Sequence, residues 1–430
     1  MKKIKAIVSV LLSIVMVMGL IPESALEAWQ VSADPVTSGE WTDYTEEITF
    51  EWEGNSKIYN ISKAEQLAWV AAGINDGSLT QAEAKFRLTA DIDLSAHYWI
   101  PIGATESRVF IAPFDGNGHT ISGMRIGSAD NPYNGSEFAG LFGYAQINVS
   151  DLRITDASIY AQAPRYSLYT GLLVGSAKGT GTIKSCECSG RICTNGPLSA
   201  SDGPIGGIAG YITGSVTVDS CRTQITVGAL STSRQCYYGG IAGTAGPSVA
   251  NYIHVMIQNC VSSVTVELPE GMNPEKTSGG AITGYSKSDA SCSVRNCFGI
   301  ADHGGACRSM DLTMYSSGSY VPVPTGAKTN VIIVDQNHKI KEGSTYIAQD
   351  NAYTFYGYSD GTGVDPQEMT EAEIKDVDFV EQLNVIAGSI EDFDPLTWEI
   401  DANVNGGFPN LPDAKAGEGV FLTVTFVSKG

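Results

Sequence analysis

Gly206-Gly-Ile-Ala-Gly210 and Gly239-Gly-Ile-Ala-Gly243 are two copies of one short phrase. Gly140-Leu-Phe-Gly143, Gly171-Leu-Leu-Val-Gly175 and Gly279-Gly-Ala-Ile-Thr-Gly284 are looser copies of it. Each is followed by a second phrase: Ser150-Asp-Leu-Arg-Ile154, Lys184-Ser-Cys-Glu-Cys188, Asp219-Ser-Cys-Arg-Thr223, Gln258-Asn-Cys-Val-Ser262 and Arg295-Asn-Cys-Phe-Gly299. Aligning Leu152, Cys186, Cys221, Cys260 and Cys297 gives steps of 34, 35, 39 and 37 residues. A period of this length marks stacked units, none of which can bury an apolar face alone.

The units are strands. Ser215-Val-Thr-Val218, Gln224-Ile-Thr-Val227 and Val261-Ser-Ser-Val-Thr-Val266 alternate β-branched and small polar residues with period two. No copy holds ten residues of helical periodicity, which excludes a helical solenoid. The glycines stand at strand ends, where a coil needs positive φ or a close approach of backbones. The surplus in each period falls at one place, in inserts at Tyr160–Thr170, Thr194–Pro204, Gly228–Tyr238 and Leu268–Ser278. Insertions at one position of every repeat line one edge of a stack, often its binding edge. The expected fold is all-β: a right-handed parallel β-helix with a row of loops along one side, an N-terminal capping helix and a C-terminal cap. Leu152, Cys186, Cys221, Cys260 and Cys297 then form a core ladder at the strand spacing of about 4.8 Å, with cysteine serving as a small hydrophobe. Disulfides are the rival reading, and with nine cysteines at least one thiol stays free. A zinc site of Cys292, Cys297, His303 and Cys307 has the wrong spacing.

Met1-Lys-Lys-Ile-Lys5 is a basic start, and Ala6 to Ile21 is an apolar run shorter than a membrane span. Val31-Ser-Ala33 offers a cleavage site, so residues 1–33 read as a signal peptide and the mature chain has no transmembrane segment. The expected location is extracellular, secreted or associated with the cell wall. A formal charge of −21 disfavours nucleic acid and anionic membrane as partners, since both need basic patches. The stretch from Glu137 to Ile300 is nevertheless neutral. Asp365 to Asp401 sets twelve carboxylates against Lys375 alone, the mark of a solvated cap.

Residues 34–57 read as a leader or edge strand, and 58–136 as an N-terminal cap helix with the first turns. Within the latter, Ser62-Lys-Ala-Glu65 is a capping box, and Leu67, Val70, Ala71 and Ile74 keep helical spacing until Asn75-Asp-Gly77. Phe86-Arg-Leu-Thr-Ala-Asp-Ile-Asp-Leu94 alternates as a strand. A helix laid across the open end would shield the first strand from edge pairing. Repeats occupy 137–300, C-terminal turns and the acidic cap 301–415, and the start of a further repeat domain 416–430.

Three runs, Ala64-Glu-Gln-Leu-Ala-Trp69, Leu88-Thr-Ala-Asp-Ile-Asp-Leu94 and Phe114-Asp-Gly-Asn-Gly-His-Thr-Ile121, together with the Gly-Gly-Ile-Ala-Gly units, resemble bacterial GLUG-motif surface proteins. Asp378-Phe-Val-Glu-Gln-Leu-Asn384, Trp398 and Asn405-Gly-Gly-Phe-Pro-Asn-Leu411 are similar to the closing segment that follows such repeats. The resemblance spans about Ile58 to Pro412. It implies a pectin-lyase-like β-helix on secreted or wall-associated proteins of Gram-positive and Bacteroides-type bacteria. Val420-Phe-Leu-Thr-Val-Thr-Phe-Val-Ser-Lys-Gly430 resembles the first strand of a Listeria–Bacteroides repeat, truncated here.

Chemistry is sparse. Glycoside cleavage needs two carboxylates about 5 to 9.5 Å apart. Asp91, Asp93 and Asp115, with His119 near the last, are the candidates; the plainer reading makes them strand and turn residues. No His-Glu-x-x-His and no Gly-x-Ser-x-Gly is present. Asp360-Gly-Thr-Gly-Val-Asp365 lacks the ligand period of a calcium loop. No metal or cofactor is expected. The inserts carry Tyr166, Tyr169, Tyr237 and Tyr238, and exposed tyrosines make sugar and protein contacts at low entropic cost. These features point to a non-catalytic adhesin or scaffold holding a glycan or an extracellular protein. The alternatives are a polysaccharide-degrading lyase or hydrolase, and a spacer for a further module.

Overall fold

The computed structural model describes residues 39–164, 167–195, 203–229, 236–246, 255–267, 277–286 and 292–302, then shorter segments between 313 and 411. Its centre is a parallel β-solenoid of about four turns. Each turn begins with a short strand before the glycine phrase: Phe138–Ala139, Tyr169–Gly171, Pro204–Gly206, Cys236–Gly239 and Thr277–Gly280 form one five-stranded sheet. After the phrase the chain runs through two further legs, as in Val174–Lys184 followed by Glu187–Asn195. Every leg pairs in parallel with its equivalent one turn away, for instance Val174 with Phe142 and Ala209. The β reading of the repeats holds along its length.

Of the two reasons offered for the glycines, close approach is the one realised. Neither Gly206 nor Gly239 has positive φ. A Cβ at either would lie 2.0 Å from the carbonyl oxygen of Ala209 or Ala242, closer than any side chain tolerates. The hydroxyl of Thr223 donates to Gly240 O at 2.7 Å, and Ser262 Oγ donates to Ala281 O, so buried hydroxyls tie the third leg to the glycine turn.

Positive φ in residues other than glycine is concentrated at the other corner. Asp151, Ser185, Ser220, Asn259, Asn296 and Asn330 lie at φ 50–57°, each one residue before a core position. Asn, Asp and Ser are short polar side chains that bear the left-handed conformation at lower cost. The core positions that follow are Leu152, Cys186, Cys221, Cys260, Cys297 and Val331, all at most 1% exposed. Cys186, Cys188, Cys193, Cys221, Cys260, Cys292 and Cys297 are free thiols and all are buried. In the ladder each thiol donates to the carbonyl two residues back, at 3.0–3.3 Å. Burial pushes the Cys221 and Cys260 thiols well above the usual range.

Both ends are covered. Helix α1 (Ala64–Asp76) buries Leu67, Ala68, Val70, Ala71 and Ile74 against the first turns and ends at Gly77, φ 84°. Its start differs from expectation. Glu65 forms no capping box; Gln66 instead reaches back to accept from Ser62 N at 2.9 Å. The edge strand is Phe50–Glu53, antiparallel to Ser56–Ile61 and exposed along its length.

At the other end α2 (Glu371–Ile374) and α3 (Val377–Gly388) lie against the outer side of the third leg, where a second apolar cluster joins Phe379, Leu383 and Trp398 to Val261, Phe298 and Ile332. The outward column at that position runs Arg153, Glu187, Arg222, Val261, Phe298, Ile332, turning from charged to apolar where the cap covers it. The left-handed asparagines anchor the cap. Asn296 Nδ2 donates to Asn259 Oδ1 at 2.7 Å and to Leu396 O at 3.1 Å. Asn296 Oδ1 accepts from Asn330 Nδ2 at 2.8 Å and from the Trp398 indole at 2.6 Å.

Asn296→Ala removes this four-bonded buried amide and leaves a Cβ residue in left-handed backbone without its compensation. The expected loss is about 3 kcal/mol or more in urea unfolding. The ladder thiols should not react with an aromatic disulfide reagent in the native protein and should react fully in guanidinium.

Candidate functional site

The outward residues of the second leg make the candidate site. Strand alternation puts Lys85 and Arg87 on the outer face of Ala84–Leu88 while Phe86 points into the core. The register carries Arg87 to Asp115, Ser150 and Lys184 in one column over successive turns. Asn148 and Thr182 stand beside it. These side chains, with Pro113, line a groove of about 410 Å³. This volume is within the range of small-molecule sites.

Arg87 lies between two carboxylates. It pairs with Glu53, NH1 to Oε1 at 2.9 Å, and its Nε lies 3.6 Å from Asp115 Oδ2. The guanidinium holds the Glu53 carboxyl below its usual range. Asp115 Oδ1 also accepts from Asn117 N at 2.8 Å. Asn148 Oδ1 accepts from Thr182 N at 3.0 Å, fixing the amide between two turns.

Of the three candidate carboxylates, Asp115 alone lines the groove. Asp91 Oδ1 accepts from Thr120 N at 2.9 Å and meets His119 Nδ1 at 3.2 Å. The Thr120 N–H, more than the imidazole, holds Asp91 below the usual carboxylate range. Asp93 Oδ1 accepts from Ser95 N at 2.9 Å. Each therefore shapes a turn, and only Asp115 lines the groove. Cys292 and Cys297 are core residues, while His303 and Cys307 lie outside the described residues. Among the described residues no group of three or more His, Cys, Asp or Glu could hold a metal ion, and no helix is long and apolar enough to cross a membrane.

The tyrosines separate. Tyr166 lies outside the described residues. Tyr169 is half-buried, with ring neighbours Phe138 at 5.6 Å, nearly parallel, and Tyr211 at 5.4 Å. Its faces are thus largely occupied by the protein. Tyr237 is half-buried on the strand Cys236–Gly239. Tyr238 corrects the expectation: it is fully buried, its ring filling the space a side chain at Gly279 would need. Consecutive strand residues point to opposite faces, so Tyr237 and Tyr238 cannot both face a ligand.

The cations of the groove carry no motif and were missed in the sequence. The available signal was period two, Lys85 with Arg87 and Thr182 with Lys184, each pair spaced for one strand face.

No family model matches the chain, and no curated protein matches it. Among solved structures it is similar to a chain from Bacteroides ovatus named a "putative immunoglobulin A1 protease", at 16% identity and a TM-score of 0.42, covering 85% of this chain and 96% of that one. That name corrects the expectation of a non-catalytic protein, which is withdrawn. At this level of similarity the match bears on no residue here.

Tyr238→Ala empties a core site and should cost about 3–5 kcal/mol in urea unfolding. Tyr237→Ala should cost less than about 1 kcal/mol.

Proposed function

We propose that the chain is a secreted or wall-associated β-helical protein of the GLUG-motif kind, an adhesin or scaffold that holds a glycan or an extracellular protein against its side. The observation that carries this reading is the open groove along the second leg. Its hydrogen-bonding and charged side chains come from four successive turns, a linear array suited to a linear ligand. The basic and apolar start of the chain supports export, and the repeat phrases support the family resemblance. The solenoid supplies a rigid backing, so little ordering entropy opposes binding.

Two forms of the purified chain test it on an array of glycans and matrix proteins: the unaltered sequence and Thr182→Trp, which fills the groove from an exposed position. Saturable binding that weakens at least about tenfold in the variant, about 1.4 kcal/mol, is the expected result. Equal binding by both forms would remove the groove from the reading. The same samples are assayed for cleavage of glycan and protein.

A further inference from the structure

The groove has a charge opposite to that of the chain. The sequence carries −21, yet the lining offers Lys85, Arg87 and Lys184 against Asp115 alone. Arg87 and Asp115 neutralise one another in part, and Glu53 takes the rest of the guanidinium. Lys85 and Lys184 are exposed and have no ion-pair partner among the described residues. Asp219, the next residue in the Lys184 column, is directed elsewhere: its Oδ1 accepts from Asn259 Nδ2 at 2.9 Å and from Ser220 Oγ at 3.0 Å.

Position adds a length. Arg87 and Lys184 are three turns apart in one column, about 14 Å at the strand spacing, and Lys85 shares the strand of Arg87. Between the two ammonium groups stand Ser150, Thr182 and Asn148, whose groups suit sugar hydroxyls, the half-buried ring of Pro113, which suits the apolar face of a pyranose, and Asp115, whose carboxylate faces Arg87 at 3.6 Å. Two exposed cations without a close ion pair, Lys85 acting on Glu53 only through space, are separated by a hydrogen-bonding floor and match a short polymer with acid groups at intervals.

We propose that this groove takes an anionic oligosaccharide laid along the solenoid axis, with acid groups held by Lys85 at one end and Lys184 at the other. The proposal rests on the groove being the binding site of the preceding section. Carboxylated and sulfated sugars share the required chemistry, an anionic oxygen on a pyranose chain. In a chain of net negative charge, the long-range field opposes such a ligand, so affinity must come from these local contacts and fall with added salt.

Calorimetric titration of the full chain with three hexasaccharides tests it: hyaluronan for carboxylate, heparin for sulfate and cellohexaose as the neutral control. The variants are Lys85→Gln with Lys184→Gln, and Lys57→Gln, whose ammonium pairs with Glu83 at 3.6 Å outside the lining. Thermal unfolding confirms that each variant folds. The expected result is that one or both anionic probes bind and cellohexaose does not. The double variant should lose about tenfold or more in affinity and most of its salt dependence, while Lys57→Gln should bind as the unaltered chain. Preference between the two anionic probes identifies the source of charge. Binding of cellohexaose as tight as the anionic probes, or a double variant that binds anions unchanged, would overturn the anionic assignment while leaving a glycan site in place. No binding of any probe, together with a silent array, would overturn both readings.

Discussion

Each turn of this protein lies with its backbone directly on the next, and the closeness of that approach governs everything built on it. At Gly206 and Gly239 a Cβ would lie 2.7 and 2.5 Å from the backbone nitrogens of Gly243 and Gly284 one turn on, besides meeting the carbonyl of its own corner. At the opposite corner, Asn259 and Asn296 accept left-handed backbone so that the following cysteine can enter the core. These two corners set where each turn bends. Since a slip of one residue would turn every inward side chain outward, they also fix the register. Outward columns therefore become straight rows of side chains, and a groove made of such rows is a direct product of the stacking.

The same corner has a second use at the C-terminal end. Asn259 and Asn296 carry amides that no strand consumes, and the returning chain satisfies them through Leu396, Trp398 and Asp394. Buried amides of this sort are costly unless bonded, so the cap is held in one position and not merely attracted to an apolar patch. The exchange of Arg222 for Val261 in the adjoining column supplies the apolar part of the contact. The apolar row on this side of the solenoid is covered by both means together.

The candidate site was legible in pieces. Asp115 could be named from its turn, and the free cysteine ladder from its spacing. The cations could not be grouped, because Lys85 and Lys184 are far apart in the chain and are brought to one groove only by three successive registers. The tyrosines failed for a local reason that the sequence did contain: Tyr237 and Tyr238 are adjacent in a strand and face opposite ways. Tyr169 failed for a nonlocal one, since Phe138 and Tyr211 come from neighbouring turns to cover its ring.

By itself the sequence determined the repeat, the β character of its units, the glycine corner and the identity of the core ladder. All of these depend on short-range geometry: strand alternation, the absence of a side chain, and a period that must be met in every turn. Only the tertiary structure decided that the glycines of the repeated phrase serve close approach and not positive φ, that the cap returns along the third leg, and that the cations of an acidic chain converge on the second. These depend on which turn lies against which, and lateral register arises from hydrogen bonds between residues more than thirty positions apart.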